Sequence, residues 1–233
     1  MLIGILQTGQ MAESLRDSLG DYPYMFRALL AKRGLEFRTY HVEAMEFPQD
    51  ILDCEGWLIT GSRHGAYEDH PFIAPLEEFI RAAYAAEVPL VGICFGHQII
   101  AQALGGTVEK FKGGWAVGPQ SYDFNGEDIR LNAWHQDQVT VRPPEAEAVG
   151  CNEFCENAAL VYGDRAFTVQ AHPEFSDAVI EGLIRERGKG VVPDALMEAA
   201  VSRLGAPTSA TRLAERISDF FLHSRDATAS PER

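Results

Sequence analysis

The sequence lacks any long hydrophobic run and any basic stretch at its start. None of its apolar segments approaches the roughly 18 consecutive residues that suggest a membrane-spanning helix. Its first ten residues, MLIGILQTGQ, carry no lysine or arginine, so they do not resemble the basic beginning of a secretory signal peptide. They are more typical of a buried strand, and we predict a cytoplasmic protein without a membrane partner.

Positive charge is also scarce. The 233 residues include 34 acidic and 20 basic side chains, which gives a net charge of −14. Non-specific binding to nucleic acid needs a basic surface, and so does binding to anionic membranes. The charge balance therefore argues against a nucleic-acid partner and against a lipid surface. Beyond that it indicates little more than solubility.

Cysteine is rare, and its spacing argues against the common cysteine-based sites. The four cysteines are Cys54, Cys94, Cys151 and Cys155, and none forms a Cys-x-x-Cys pair. Structural zinc sites usually use such clusters, and disulfides are uncommon in a reducing compartment. We therefore expect no metal, no cofactor and no disulfide. Three of the cysteines are expected to be inert, and Cys94 differs from them because of its neighbours.

Short apolar runs alternate with helical patterns over the first two-fifths of the chain. Strands are predicted at Leu2–Leu6, Leu35–Val42, Trp57–Thr60 and Leu90–Ile93. Strands that alternate with helices predict an α/β fold whose mostly parallel central sheet is covered on both sides.

The rest of the chain changes character twice. Between residues 106 and 171, glycine, proline and polar residues punctuate brief β-like runs, which predicts antiparallel strands added to the sheet or capping it. The patterns then become helical, at Asp177–Arg187, after Pro193, and from about Thr208 to His223. Residues 226–233 are predicted to form a frayed tail.

A turn that can present a nucleophile follows the fourth predicted strand. Gly92-Ile93-Cys94-Phe95-Gly96 is the cysteine form of the Gly-x-Ser-x-Gly elbow, with a strand before it and a helix after it. Side chains at the two glycines would clash in so sharp a turn, which holds its central residue in a strained conformation. The helix N-terminus favours the thiolate. Cys94 is therefore the predicted nucleophile.

A thiol nucleophile needs a base, and the base needs a partner that fixes its tautomer. His172 lies just past a predicted strand, so it should reach the same edge of the sheet as Cys94. Pro173 prevents a helix there, and Glu174 is close enough to accept a hydrogen bond from the imidazole. These residues predict a catalytic triad of Cys94, His172 and Glu174.

Amide cleavage also needs an oxyanion hole, usually two backbone N–H groups that stabilise the charge on the carbonyl oxygen. One donor should be the N–H of Phe95, directly after the nucleophile. The other should come from the glycine-containing turn after the third strand, through Gly61. Gly61 and Phe95 are therefore the predicted oxyanion hole.

The segments GICFGHQ, ITGS and QAHPEF together resemble the class I glutamine amidotransferases, which use a Cys-His-Glu triad. The resemblance spans roughly Leu2 to Phe175, with the motifs in the family's order and spacing. KGGWAVGP and AWHQDQV look like the free-standing branch related to the amidotransferase domain of GMP synthase. The resemblance implies a flavodoxin-like, three-layer α/β/α fold. It implies a catalytic domain over residues 1–187. Residues 188–233 lie outside the resemblance, and their apolar helical faces predict a helical extension packed on the same domain.

The resemblance also implies the substrate contacts. Gln98 would contact a glutamine substrate, and the segment His135-Gln136-Asp137 would hold its α-amino and α-carboxyl groups, partly through the backbone. Gln136 departs from the glycine that GMP synthase relatives often carry, which leaves the preference for the substrate's head group open. The implied reaction is hydrolysis of the side-chain amide of glutamine, or of a γ-glutamyl compound, through a thioester on Cys94. It releases ammonia and glutamate.

Several functions are compatible with this site. An amidotransferase passes ammonia to an acceptor domain, but the sequence contains no second large domain and no Gly-x4-Gly-Lys-Ser/Thr loop. The alternatives are a glutaminase subunit that feeds a separate synthase, an independent γ-glutamyl peptide hydrolase, and a non-catalytic regulatory or binding protein. A cysteine-elbow protein of the protease or chaperone type is disfavoured by the paired GHQ and HPE motifs. The oligomeric state stays open.

Overall fold

The computed structural model describes residues 1–228 of the chain. Within that range there are eleven strands: β1 (Leu2–Gln7), β2 (Glu36–His41), β3 (Gly56–Ile59), β4 (Leu90–Ile93), β5 (Thr107–Lys110), β6 (Ala116–Phe124), β7 (Glu127–His135), β8 (Asp137–Val141), β9 (Glu147–Gly150), β10 (Ala159–Tyr162) and β11 (Ala166–Val169). The same range contains seven α-helices: α1 (Glu13–Leu19), α2 (Tyr22–Leu29), α3 (Ile73–Ala85), α4 (Phe95–Ala103), α5 (Asp177–Leu183), α6 (Asp194–Ser202) and α7 (Ala210–Thr228).

Seven of the strands form one central sheet, in the order β2-β1-β3-β4-β11-β10-β9. The strands from β2 to β11 run parallel, and β10 and β9 add antiparallel pairs at one edge. This order places the carboxyl ends of β3, β4 and β11 side by side, where open α/β sheets bind their ligands. The predicted mostly parallel sheet with added antiparallel strands is confirmed.

Helices cover both faces of this sheet. Side chains alternate along a strand, so neighbouring residues enter different cores. Ile3 and Ile5 are fully buried in a core shared with α2, α5 and α7, whereas Trp57 and Ile59 are fully buried in a core shared with α3 and α4. The predicted three-layer α/β/α architecture is confirmed.

Two small antiparallel ribbons stand beside the carboxyl edge of the sheet. β6 and β7 pair along nine residues each, and β5 pairs with β8. Only Gln136 separates β7 from β8, so the chain turns sharply from one ribbon into the other. The backbone N–H of His172 donates to the carbonyl of Asn132 in β7 at 2.8 Å. That hydrogen bond fixes the β6–β7 ribbon against the end of β11.

Helix α7 packs on the core that it shares with α2 and α5, and α6 packs on β6 in a small separate cluster. Leu213, Ile217 and Phe221 of α7 are fully buried. Gly118 of β6 lies so close to α6 that a Cβ there would come within 2.7 Å of the Ala200 Cβ. The predicted boundary between the catalytic domain and the helical extension, at residues 187 and 188, falls inside a π-helical turn, Ile184–Gly188. The division into these two parts stays a prediction.

Some elements differ from those predicted. α1 and β9 were not expected, because only Leu15 of α1 is buried and β9 is short and partly exposed. The helix expected over Asp177–Arg187 ends at Leu183 and continues as the π-helical turn. Helix α7 extends to Thr228, which corrects the predicted start of the tail; residues 229–233 lie outside the described range. No helix within residues 1–228 is both long and apolar enough to cross a bilayer.

Candidate active site

The elbow between β4 and α4 has the strained geometry that its glycines predict. Cys94 adopts φ +54° and ψ −103°, a region that residues with a side chain rarely occupy. A Cβ on Gly92 would lie 2.4 Å from the carbonyl oxygen of Gly96, and a Cβ on Gly96 would lie 2.2 Å from the carbonyl oxygen of Ile59. These neighbours are backbone atoms in packed elements and cannot move aside. Only glycine therefore allows α4 to start so close to β3 and β4.

His172 and Glu174 reach this elbow from the end of β11. Because β11 runs parallel to β4, with Val169 opposite Ile93, both strands deliver their next residues to the same edge. Glu174 Oε1 lies 2.7 Å from His172 Nδ1, and the Cys94 sulfur is near enough to the His172 ring to interact with it. Since a carboxylate only accepts, Nδ1 carries a proton, which leaves Nε2 as the ring nitrogen that is available to the sulfur. The structure thus brings the three predicted triad residues together.

The charge state of His172 follows from these two contacts. Burial by itself lowers the pKa of the imidazole, but the Glu174 carboxylate and the Cys94 sulfur together raise that pKa well above its ordinary value. The ring is only 3% exposed, so water screens these interactions little. The Glu174 carboxylate therefore favours the protonated form of His172.

Two neighbours hold the His172 ring in place. Phe175 stacks on it with a centroid distance of 3.9 Å and an interplanar angle of 1°. The Asn132 side chain donates to the carbonyl oxygen of Phe175 at 2.9 Å, which clamps the turn that carries the histidine. Asn132 was not predicted as a site residue, because its sequence position in β7 gives no sign that it would meet residues 172–175.

The predicted oxyanion donors lie at the same point. Phe95 is the first residue of α4, so its N–H has no acceptor within the helix. The N–H of Gly96 donates to the carbonyl of Thr60 at 3.1 Å, which brings the elbow against the turn that begins at Gly61. A Cβ on Gly61 would lie 2.9 Å from His172 Cε1. Gly61 and Phe95 therefore flank the triad on the side of β3.

Gln98 is held by a small amide network. Its side-chain nitrogen lies 2.8 Å from the carbonyl oxygen of Asp137 and 3.1 Å from Gln170 Oε1. Gln170 in turn directs its own amide nitrogen at the Cys94 sulfur, at 3.7 Å. Gln170 belongs to the QAHPEF segment, yet no role was predicted for it, because only the fold shows that it faces the nucleophile. Its donor can stabilise negative charge on the sulfur.

The other three predicted substrate contacts line the same cavity as Cys94. His135 Nδ1 approaches the Asp137 carbonyl oxygen at 3.3 Å, and the Gln136 amide nitrogen approaches the Phe111 carbonyl oxygen at 3.3 Å. Burial raises the pKa of the Asp137 carboxyl, and a hydrogen bond from Tyr67 opposes that increase. Tyr67 was not predicted, because it lies in the loop after β3 with no motif around it.

The cavity has a volume of about 530 Å3. Besides the predicted residues, its wall contains two tryptophans and several cationic side chains. They are Trp115, Trp134, Lys110, Arg187 and Lys189. The volume lies within the roughly 300–1,000 Å3 that is typical of small-molecule sites. Basic and aromatic groups in the wall suit a ligand that carries both carboxylate and apolar parts.

His97 is the one other histidine next to the nucleophile in sequence, and its surroundings exclude it as a base. The side chain is fully buried and its Nδ1 lies 2.8 Å from the Thr168 hydroxyl. Burial lowers the pKa of His97 to about 3, and His135 contributes to the shift in the same direction. His97 therefore stays neutral and serves to hold α4 on β11.

Replacement of His97 by asparagine should reduce the acid sensitivity of the fold. The folded pKa lies below the unfolded value of about 6.5, so the unfolded chain binds more protons. The contribution to stability is complete above pH 6.5 and is lost as the pH falls towards about 3. At pH 5 this loss is about 2 kcal/mol for the histidine. Urea unfolding at pH 7 and pH 5 measures it, and H97N should lose about that much less than the unmodified protein.

The matched control is His223→Asn, on an exposed site of α7. It should show the same pH dependence as the unmodified protein. If H97N and the unmodified protein lose equal stability between pH 7 and pH 5, then His97 is not the buried neutral group that the structure indicates.

Comparisons with known proteins agree with this geometry. The family model "Glutamine amidotransferase class-I" matches residues 15–183. A glutamine amidotransferase-like protein of Schizosaccharomyces pombe is 31% identical over 94% of this chain and 98% of its own. Gamma-glutamyl peptidase 4 of Arabidopsis thaliana is 30% identical over 74% of this chain and 75% of its own. A GMP synthase of an Azoarcus species is 31% identical over 68% of this chain but only 34% of its own.

Solved structures show the same fold. A glutamine amidotransferase from Methylobacillus flagellatus superposes with a TM-score of 0.77, at 22% sequence identity. The superposition covers 99% of this chain and 96% of that one. At this identity the likeness concerns the fold alone. The superposition extends past residue 183, where the match to the family model ends, so the solved structure shares the fold of the last helices as well.

Proposed function

Because the chain belongs to the class I glutamine amidotransferase family, we propose that it hydrolyses γ-glutamyl amide bonds through a thioester on Cys94. The observation that carries this proposal is the position of His172, in contact with both the Cys94 sulfur and Glu174 beside a cavity of about 530 Å3. A non-catalytic binding protein would have no need of a strained cysteine paired with a buried imidazole and carboxylate.

The reaction proceeds in two halves. The Cys94 sulfur forms a bond to the amide carbon, and the N–H groups of Gly61 and Phe95 stabilise the charge on the carbonyl oxygen. His172 gives its Nε2 proton to the leaving nitrogen, and the carbon–nitrogen bond breaks. The γ-glutamyl thioester then reacts with water, whose proton returns to His172. The carbon–sulfur bond breaks, and glutamate leaves.

The substrate contacts follow from the cavity wall. We assign Gln98, His135, Gln136 and Asp137 to the γ-glutamyl head group, since all four line the cavity beside Cys94. The buried amide network of Gln98 presents its oxygen as an acceptor, because its nitrogen is already engaged. Asp137 supplies a negative charge that suits an α-ammonium group. The carboxylate of the substrate then faces the basic side of the cavity.

A γ-glutamyl compound larger than glutamine suits this cavity better than glutamine itself. Glutamine has ten non-hydrogen atoms. If each atom takes no more volume than a water molecule in the liquid, roughly 30 Å3, glutamine occupies at most about 300 Å3. The cavity has space beyond that, and its wall includes Trp134 and Lys189. The gamma-glutamyl peptidase relatives support the same substrate class. A glutaminase subunit that passes ammonia to a separate synthase is the second candidate, supported by the GMP synthase relatives.

The test is a comparison of glutamine with a γ-glutamyl dipeptide, such as γ-glutamyl-alanine, on the purified chain. Release of ammonia or alanine gives kcat/KM for each. We expect the dipeptide to be preferred by at least about tenfold, which corresponds to about 1.4 kcal/mol of additional transition-state binding. The regioisomer α-glutamyl-alanine, which has no γ-amide bond, should not be cleaved. Preference for glutamine would favour the synthase-linked candidate, and no turnover of either substrate would contradict both.

A further inference from the structure

Two histidines and a glutamate converge on the loop between β3 and α3. His64 Nδ1 lies 3.8 Å from Glu68 Oε2, and His70 Nε2 lies 2.9 Å from the same oxygen. One ligand atom of each residue lies within 4.8 Å of the other two. The backbone turns back on itself here, with N–H groups of Glu68 and His70 donating to the carbonyls of Gly65 and Glu68 at 3.1 Å each. The turn therefore presents three donor groups to one point.

We propose that His64, Glu68 and His70 bind a divalent transition-metal ion of the zinc type. Such ions bind imidazole nitrogen and carboxylate oxygen at about 2.0–2.2 Å, so neighbouring ligands of a tetrahedral ion lie about 3.4 Å apart. The separations of 2.9 and 3.8 Å bracket that value. Two histidines with one glutamate leave the fourth coordination position open. From the sequence alone no metal is expected, because the cysteine spacings are unsuitable; this ligand set contains no cysteine.

A fourth residue, Glu43, orients the His64 ring for metal binding. Glu43 Oε1 lies 3.0 Å from His64 Nε2, on the opposite side of the ring from Glu68. Arg63 Nε, which can only donate, approaches the same nitrogen at the longer distance of 3.5 Å. The shorter contact with the carboxylate, which only accepts, favours the tautomer with the proton on Nε2 and the Nδ1 lone pair on the side of Glu68. In protein metal sites, the ring nitrogen of a histidine ligand that does not bind the metal usually donates a hydrogen bond to a carboxylate or a carbonyl group. Glu43 comes from the turn after β2, so the orientation is fixed by the fold.

The rings and charges around the site also suit a cation. His70 stacks on Phe72 at an interplanar angle of 13°, and the His64 and His70 ring centroids are only 4.0 Å apart. Arg63 lies 3.6 Å from Glu43, so one cation is present beside two carboxylates. The two carboxylates of Glu43 and Glu68 therefore outnumber the one guanidinium beside them.

The position of the cluster shows what a bound ion would change. His64 and Glu68 line the cavity that contains Cys94, and Gly65 and Tyr67 lie between them in sequence. A Cβ on Gly65 would lie 3.2 Å from Asp137 Oδ2, so this loop touches the predicted head-group contact. An ion that joins residues 64, 68 and 70 would stiffen this wall of the cavity. It would do so whether or not the chain hydrolyses γ-glutamyl compounds.

Cobalt binding tests the proposal on the full chain without a histidine tag. The starting protein is C94A, because the active-site thiol could itself bind a soft metal ion. We expect one Co2+ per chain, with visible absorption bands of a low-coordinate ion that disappear when Zn2+ is added. The substitutions His64→Gln and His70→Gln should each weaken Co2+ binding by more than about tenfold. Glu43→Gln should weaken it by about 10- to 100-fold, because the orienting contact is lost.

His223→Gln is the matched control, since it removes a histidine on α7 and should leave Co2+ binding unchanged. Circular dichroism shows whether each variant is folded. The proposal is overturned if C94A binds no Co2+, or if the variant with both His64→Gln and His70→Gln binds Co2+ as tightly as C94A. Absence of Co2+ binding to C94A would mean that the contact between His70 and Glu68 has no role in metal binding. Activity with a γ-glutamyl substrate is not part of the readout, so failure of this proposal is separate from failure of the proposed hydrolysis.

Discussion

Replacement of Cys94 by alanine should abolish hydrolysis of γ-glutamyl substrates and leave the fold intact. Loss of a catalytic nucleophile in a comparable triad reduces kcat by about 10⁴- to 10⁶-fold, because no covalent intermediate can form. Alanine has a Cβ like cysteine, so the strained backbone at φ +54° costs the same in both proteins. Release of ammonia or amine measures the rate, and urea unfolding measures the stability. The free energy of unfolding should change by less than about 1 kcal/mol, since only the sulfur atom is lost.

The matched control for this prediction is Cys151→Ala. Cys151 is exposed, whereas Cys94 is 6% exposed and next to His172. C151A should retain full activity, which shows that loss of a thiol is not in itself harmful. Activity of C94A above one-hundredth of that of the unmodified protein would remove Cys94 from the mechanism. Activity lost in both variants would indicate a structural cause.

Replacement of Glu174 by glutamine should lower kcat by about 10²- to 10⁴-fold. Glutamine keeps the shape of the side chain but removes its charge and can present an amide N–H to the imidazole. The ring then loses both the acceptor that fixes its tautomer and the partner that stabilises its protonated form. Glu174 is 9% exposed, so water cannot take over this role. KM should change much less than kcat, because Glu174 lies behind His172 and does not line the cavity.

The pH profile separates this role from a purely structural one. The carboxylate of Glu174 raises the pKa of His172, so its removal lowers that pKa. The alkaline limb of kcat/KM reports loss of the His172 proton in the free enzyme. In E174Q this limb should move to lower pH by at least about one unit. A Glu181→Gln variant, altered on an exposed site of α5, should retain the profile of the unmodified protein. A lower rate without displacement of the limb would mean that Glu174 acts on packing alone.

Part of this molecule can be predicted from local sequence. The elbow is confined to five residues, and Gly92 is required by its contact with the Gly96 backbone inside the elbow. Strands β1, β3 and β4 are short apolar runs, and burial on both faces produces that pattern. His172 and Glu174 are two residues apart, so their mutual contact needs only a turn that proline enforces. These features depend on neighbours in the chain.

Other parts depend on segments that are far apart. Helix α1 and strand β9 were missed because each buries too little apolar surface to show a pattern. Gln170 meets the Cys94 sulfur across 76 positions of sequence, and Asn132 meets the turn after His172 across about 40. No local propensity encodes such contacts, because they arise only when β7, β4 and β11 are placed side by side.

The sequence by itself determined the nucleophile's turn, the His-Pro-Glu turn and the parallel α/β framework, since each is a short-range pattern of glycine, proline and apolar residues. The tertiary structure decided what surrounds Cys94: the raised pKa of His172, the amide network of Gln98 and Gln170, and the cluster of His64, Glu68 and His70 in the cavity wall. Burial and distance set the strength of each of these interactions, and both are properties of the folded chain.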